Sequence, residues 1–106
     1  MSSKLVLAID FDLVLHEKDK PIPGRRMGAP YPDSRPSMIR LKRQGHTLII
    51  HTTMANTEGG RQAVADWLKY YKIPYDRIEP KIAADKYIDD KAIQHFDWKQ
   101  TLEMLR

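Results

Sequence analysis

The sequence contains no cysteine and no long apolar run. Without cysteine the chain can form neither a disulfide nor a thiolate metal site, which suits a reducing compartment. The apolar run near the N-terminus, residues 5–9, is far too short for a signal-peptide core or a membrane span, and two aspartates follow it closely. We therefore expect a cytoplasmic protein that has no membrane partner.

The length and charge of the chain narrow the range of functions. At 106 residues we expect one domain, residues 1–106, with no room for a second. A composition of 42% hydrophobic and 30% charged residues is typical of a globular chain that can bury a core. The net charge of +4 favours phosphates or nucleic acid as ligands, although a solvated lysine-rich surface explains the same charge.

Apolar runs alternate with amphipathic segments along the chain. Residues 5–9 and 47–50 have the pattern of strands that are covered on both faces, and shorter strands are predicted at 77–79 and 86–88. Helical signals predict one helix after Asp33, a second around Val64 and Trp67, and a third after Asp97. This alternation predicts a minimal three-layer α/β/α, Rossmann-like parallel sheet.

Proline and glycine are concentrated between residues 18 and 33, and this composition favours turns over regular elements. We expect an ordered loop or a short flap there. Arg25 and Arg26 lie on this segment, where they would either meet an anionic substrate or form a solvated basic loop.

Two aspartates end the first predicted strand, at the sheet edge where parallel sheets bind ligands. Asp10 and Asp12 alternate, so their side chains point the same way. At about 4 Å, two such charges repel by about 4 kcal/mol at an effective dielectric of 20, and a divalent cation or a proton removes that cost. Oxygen ligands favour Mg²⁺ over zinc. One carboxylate can attack phosphorus while the other transfers protons, although solvated acidic turns have the same pattern.

Other polar groups follow the later predicted strands. Thr52 and Thr53 come after the second strand, where a hydroxyl can donate to a phosphoryl oxygen. The ammonium of Lys81 could neutralise a transferring phosphoryl group, as such reactions require, or could be an ordinary surface lysine. Asp89 and Asp90 would complete a hard-metal site, or would cap a helix.

Taken together, these groups resemble the four motifs of the haloacid dehalogenase (HAD) superfamily in that family's order: Asp10-x-Asp12, Thr52, Lys81 and Asp89-Asp90. The resemblance extends from Leu5 to about Ile93, and it is closest to small members of the family that have no cap domain. It implies an HAD-like sheet and an Mg²⁺-dependent phosphohydrolase that acts through a phospho-aspartate intermediate.

The resemblance also implies a role for each residue. Asp10 would be the nucleophile and a metal ligand, and Asp12 would be the general acid/base and bind Mg²⁺ through its backbone carbonyl. Asp89 would complete the metal site, with Asp90 as a direct or an outer ligand. The phosphoryl group would be held by the remaining motif residues and a backbone amide: Thr52, Thr53, Lys81 and Phe11.

Some positions depart from the family's pattern. Leu13 stands where many phosphatases of the family carry glycine, and Met54 stands where many small relatives carry arginine. Lys86 and Lys91 compete with Lys81 as the third motif. An open site without a cap implies a large phosphorylated substrate, such as a nucleotide or a nucleic-acid end, or a homo-oligomer that shields the site.

A non-catalytic interpretation also remains open. A non-catalytic phosphate-binding module, such as a signalling receiver, also uses clustered aspartates, a threonine, a lysine and Mg²⁺, although in a different order along the chain. Among the histidines, His16 lies close enough to the first motif to contact substrate, and His51 is either a core or an edge residue.

Overall fold

The computed structural model describes residues 3–21 and 27–106. Its elements, in chain order, are β1 (Val6–Asp10), β2 (His16–Pro21), β3 (Gly28–Pro30), α1 (Ser34–Arg43), β4 (Thr47–Thr52), a 3-10 turn (Thr53–Asn56), α2 (Glu58–Tyr70), β5 (Arg77–Pro80) and α3 (Trp98–Met104).

The main sheet contains three parallel strands in the order β1-β4-β5. The connection from β1 to β4 includes α1, and the connection from β4 to β5 includes α2, as the alternating pattern predicts. Asp10 pairs in register with His51, and Thr52 pairs with Pro80. The carboxyl ends of all three strands therefore lie side by side at one edge of the sheet.

One face of this sheet forms the core. Side chains alternate between the two faces of a strand, and one set packs with buried helical residues such as Met38, Val64 and Leu68. On the other face, Val6 is 70% exposed and Ala8 is also exposed, whereas Ile49 of the central strand is buried. The described residues therefore form a parallel sheet with helices against one face, and the third layer stays a prediction. The core-facing strand residues are Leu7, Ile9, Leu48, Ile50 and Ile78.

The helix boundaries follow local signals that the sequence contains. Gly45 ends the α1 region with a φ of 92°, a backbone conformation that glycine adopts without strain. The carboxylate of Asp97 accepts a hydrogen bond from the backbone N–H of Gln100 at 2.8 Å, which confirms it as the cap of α3. Thr57 caps α2 in the same way by accepting from Gly60 N–H at 3.1 Å, a start that the sequence analysis does not predict.

The predicted turn-rich flap contains regular structure at both ends. β2 and β3 form an antiparallel ribbon in which His16 pairs with Pro30, with an irregularity in the register. The expectation that residues 18–33 lack regular elements is therefore wrong for the two strands, because backbone pairing between them overrides the turn preference of proline and glycine. Arg25 and Arg26, like the rest of residues 22–26, lie outside the described residues.

The strand predicted at residues 86–88 is not present. The chain between β5 and α3 has no helix or strand, and several of its apolar side chains are exposed. The predicted strand contains only three residues and lies between charged neighbours, so it specifies a strand only weakly without a paired partner. The exposed apolar residues of this segment are Ile82, Tyr87, Ile88, Ile93 and Phe96.

The helices of the described chain are short, and α2, with 13 residues, is longer than α1 and α3. Within residues 3–21 and 27–106, none of the helices combines the length and the apolar character that crossing a bilayer requires.

Asp76 joins the start of β5 to the centre of the sheet. Its two carboxylate oxygens each lie 2.7 Å from the ammonium of Lys42, and one also accepts from the backbone N–H of Leu48 at 2.7 Å. The hydrogen bond from Lys42, and next that from Leu48, lower the pKa of Asp76 from its ordinary value of 3.8. This carboxylate therefore stabilises the fold above pH 3.8, and that contribution is lost as the pH falls through its lower folded-state pKa.

Replacing Asp76 by asparagine is expected to reduce the dependence of stability on acid pH. The variant should be less stable than the wild type at pH 6, and the difference should shrink as the pH falls below 3.8 and through the lowered pKa of the native carboxylate. Urea unfolding between about pH 2 and pH 6 measures both effects. Asp33→Asn is the matched control, because the Asp33 side chain makes no cap hydrogen bond to α1. A constant difference between wild type and Asp76→Asn across the range would contradict the prediction.

Candidate active site

Asp10 and Lys81 meet at the carboxyl edge of the sheet. Asp10 ends β1 and Lys81 directly follows β5, so the lysine side chain reaches past the end of the central strand β4. The Lys81 Nζ atom lies 3.4 Å from Asp10 Oδ2, and the two side chains are 14% and 39% exposed. A cation and a solvent-accessible carboxylate therefore lie together where parallel sheets bind ligands.

Contacts on several sides hold Lys81 in this position. The Asn56 side-chain amide donates to the Lys81 carbonyl at 3.1 Å, which ties this residue to the 3-10 turn after β4. The ammonium also lies 4.2 Å from the centre of the Tyr87 ring, within the range of a cation–π contact. Lys81 therefore contacts Asp10, as its assignment to the third motif in preference to Lys86 or Lys91 requires.

Thr52 lies between these two groups in the strand order. It is 1% exposed, and its Oγ1 atom accepts from the backbone N–H of Met54 at 3.2 Å. A hydroxyl that accepts in this way still has its own O–H to donate. Thr53, the next residue, is exposed on the 3-10 turn. Glycine at position 60 allows α2 to approach this turn, since a Cβ there would collide with the Met54 carbonyl.

The backbone amide of Phe11 has a different partner from the predicted one. Its N–H donates to Asp10 Oδ1 at 2.9 Å, and the Phe11 ring is fully buried in the core. This amide therefore orients the Asp10 carboxylate, and the expected phosphate contact through Phe11 is not available while that bond exists.

Asp12 is hydrogen-bonded to His16, a residue that the sequence predicts to lie near substrate. His16 Nε2 lies 2.6 Å from Asp12 Oδ1, and an isolated parallel bridge joins the two backbones. The imidazole is 2% exposed and packs against both Phe11 and Trp67, with ring centres 4.5 Å and 5.8 Å away. His16 is too deeply buried to contact a bound ligand directly, so the expectation of substrate contact is wrong.

Leu13 has the backbone conformation that glycine adopts most readily. Its φ is 62°, in the left-handed region, and its side chain is largely exposed. The N–H of Leu13 donates to the His16 carbonyl at 3.1 Å, and this bond helps to close the tight turn. The turn explains why glycine suits this position, and leucine is strained there.

Replacing Leu13 by glycine should therefore preserve or slightly increase stability. Relief of about 1–2 kcal/mol of left-handed strain outweighs the greater entropy of an unfolded glycine, about 0.5–1 kcal/mol. Urea unfolding of Leu13→Gly beside Leu13→Ala separates the two causes, because alanine removes the side chain and keeps the Cβ strain. A glycine variant less stable than the alanine variant would contradict the prediction, because the entropy of unfolded glycine would then outweigh the relief of strain.

Asp89 and Asp90 are not gathered with Asp10 and Asp12. Both are exposed in the irregular segment after β5, and Asp89 Oδ1 accepts from the Lys91 N–H at 2.7 Å. Across residues 3–21 and 27–106, the structure contains no group of three acidic or histidine side chains close enough to hold a metal ion.

Mg²⁺, however, commonly binds through one or two carboxylates, with waters and substrate phosphate supplying the other oxygens. The donor chemistry of Asp10 and Asp12 therefore fits Mg²⁺, and a role for the second acidic pair stays a prediction.

His51 is a site residue whose position the sequence left open. It pairs in register with Asp10 and is half-buried at the same sheet edge. Partial burial, and then the Lys81 ammonium, lower the pKa of His51, while the Asp10 carboxylate opposes this change. The signal that could have placed it is the parallel register, since the residue before Thr52 lies opposite the end of β1.

Comparisons with known proteins support the fold. No family model and no curated protein matches the chain. Among solved structures, the crystal structure of a target protein from Vibrio cholerae is similar, with a TM-score of 0.67 and 24% sequence identity. The similarity covers 87% of this chain and 84% of the Vibrio cholerae chain. The chain is therefore a small α/β protein with a Rossmann-like parallel sheet.

Proposed function

We propose that this chain is a Mg²⁺-dependent phosphohydrolase of the haloacid dehalogenase type, in which Asp10 is the nucleophile. The observation that supports the proposal is the contact between Lys81 and Asp10 at the carboxyl edge of the sheet. These residues belong to the first and third motifs of the resemblance, and the fold brings them together from distant parts of the chain.

The proposed reaction has two steps. First, an Asp10 carboxylate oxygen forms a bond to phosphorus while the bond from phosphorus to the leaving oxygen breaks, and Asp12, as an acid, gives that oxygen its proton. In the second step the Asp12 carboxylate takes a proton from water, and the water oxygen attacks phosphorus. The acyl-phosphate bond then breaks, which releases phosphate and restores the Asp10 carboxylate.

Lys81 and Thr52 act on the phosphoryl group in this proposal. The ammonium of Lys81, already beside Asp10, offsets negative charge on the oxygens of the transferring group. The Thr52 hydroxyl donates to one of those oxygens, and Thr53 extends this contact on the exposed side of the turn. The positions of these groups at adjacent strand ends favour one anionic ligand bound across them.

Mg²⁺ would be held by Asp10 and by the backbone carbonyl of Asp12, with water and substrate oxygens as its other ligands. A contribution from Asp89, or from Asp90 as a direct or an outer ligand, would require the segment after β5 to bring them to this edge, since the described residues do not group them with Asp10 and Asp12. When bound, this ion neutralises charge on the phosphate and reduces repulsion between the phosphate and the Asp10 carboxylate.

A phosphate-release assay tests the proposal. Purified protein with Mg²⁺ should release phosphate from at least one member of a panel of aryl phosphates, sugar phosphates, nucleotides and 5′- or 3′-phosphorylated oligonucleotides, and EDTA should abolish the release. A higher rate on nucleotides or oligonucleotide ends would support the nucleic-acid preference, and a higher rate on sugar phosphates would exclude it. Inactivity across the whole panel would favour the binding-module alternative.

A further inference from the structure

His16 and Asp12 form a short hydrogen bond, in which one side chain donates and the other accepts. The distance from His16 Nε2 to Asp12 Oδ1 is 2.6 Å. Oδ1 can accept from a protonated Nε2 both when Asp12 is ionised and when Asp12 carries its own proton on Oδ2. With the proton on Nε2, His16 therefore donates to Oδ1 in both forms that the general acid/base takes in the proposed function.

The second nitrogen of the same ring indicates that packing alone does not explain a histidine at this position. His16 Nδ1 is buried, and the described residues offer it no hydrogen-bond partner. Burying such a group costs about 1–3 kcal/mol. A phenylalanine could pack against Phe11 and Trp67 without that cost, so packing alone does not favour an imidazole here. What the imidazole provides beyond an apolar ring is the N–H that faces Asp12.

The surroundings make this donor rigid. The buried His16 ring packs against two aromatic rings, and the His16 carbonyl accepts from Leu13 N–H in the turn that carries Asp12. The side chain of Asp12 is 31% exposed, so this carboxyl group is held from the core side while it remains accessible from solvent. A donor that is fixed on one oxygen restricts rotation of the carboxyl group about its Cβ–Cγ bond.

We propose that His16 is a positioning residue for Asp12: its Nε2–H fixes Oδ1, so that Asp12 carries its transferable proton on Oδ2 toward the leaving oxygen. This inference rests on the proposed phosphohydrolase function. It assigns His16 no contact with substrate and no proton transfer of its own.

The test compares two variants on two substrates. His16→Phe keeps a buried ring and removes the donor, and His16→Gln keeps a side-chain N–H near the original position. Aryl phosphates have good leaving groups and need little protonation, whereas alkyl phosphates depend on the general acid. His16→Phe should lower kcat on an alkyl phosphate about tenfold more than on p-nitrophenyl phosphate, with KM little changed, and His16→Gln should recover part of the loss. An equal loss on both substrates, or no loss in a folded variant, would overturn the proposal.

A second measurement does not depend on activity. In ¹H–¹⁵N spectra of the imidazole ring, wild-type His16 should carry a proton on Nε2, and its signal should move in Asp12→Asn. A ring whose proton is found only on Nδ1 would overturn the proposal even if the protein is an active phosphatase. If Nε2 carries the proton but the wild type releases no phosphate, the proposed function is wrong. The role of His16 in positioning Asp12 for proton transfer is then also wrong, because it depends on that function.

Discussion

Asp10→Asn is expected to lower phosphate release at least about a thousandfold, which corresponds to about 4 kcal/mol of transition-state stabilisation. An amide oxygen is a poor nucleophile toward phosphorus, so the covalent intermediate cannot form at a useful rate. The measurement is kcat with Mg²⁺ on the best substrate of the panel, together with intact-mass analysis for a phosphoryl adduct, which should occur in the wild type and not in the variant.

The fold of this variant should remain intact. Asparagine still has an oxygen that can accept from the Phe11 N–H, and the pair with Lys81 is partly exposed, where such pairs contribute little to stability. Urea unfolding should therefore give nearly the same midpoint as for the wild type. Asp33→Asn is the matched control, as an exposed aspartate whose side chain makes no cap hydrogen bond to α1, and it should keep full activity. Retention of more than about a tenth of the activity by Asp10→Asn would rule out this nucleophile.

Trp67→Ala should be the most destabilising single substitution tested, with a loss of about 3–5 kcal/mol. Trp67 is 5% exposed on α2, and its ring lies 4.9 Å from that of Phe11 in an edge-on arrangement. Its indole N–H donates to the Gly28 carbonyl at 2.9 Å, so it also holds the ribbon of β2 and β3 against the helix. Domains of this size are stable by about 5–15 kcal/mol, so the loss takes up much of the total.

Two companion variants separate the causes of this effect. Trp67→Phe keeps most of the ring and loses the hydrogen bond to Gly28, which should cost about 1–3 kcal/mol because a buried carbonyl then lacks a donor. Tyr70→Ala removes an aromatic ring from the exposed side of the same helix and should cost less than about 1 kcal/mol. Urea unfolding measures all three variants. Similar losses for Trp67→Ala and Tyr70→Ala would show that burial at position 67 does not control stability.

Local sequence patterns predict the parallel sheet, whereas the family resemblance predicts the contact at its edge. The apolar run at residues 5–9 corresponds to β1, and the strand predicted at 47–50 extends to Thr52. Lys81 is expected near Asp10 from its spacing to Asp89 and Asp90 in the resemblance, and its position just after β5 is the physical reason that the two residues meet. The sheet itself depends on periodicity and strand order, both of which a single sequence contains.

The remaining features depend on contacts between distant parts of the chain. The burial of His16 results from packing against Trp67, a residue of another element, and no local pattern indicates it. The left-handed backbone of Leu13 violates the usual preference of leucine, so the sequence suggests it only through the comparison with glycine in the family pattern. Tyr87 and Ile88 look like part of a strand, but three residues without a paired neighbour do not define one.

The meeting of Asp10 and Lys81 also has a consequence for how the protein is synthesised. On the ribosome, chains emerge N-terminal end first, and β1 leaves the exit tunnel long before β5. Until the second crossover is complete, Asp10 lacks the ammonium of Lys81 beside it. The order of translation thus delays the contact between these two residues until most of the polypeptide has been made.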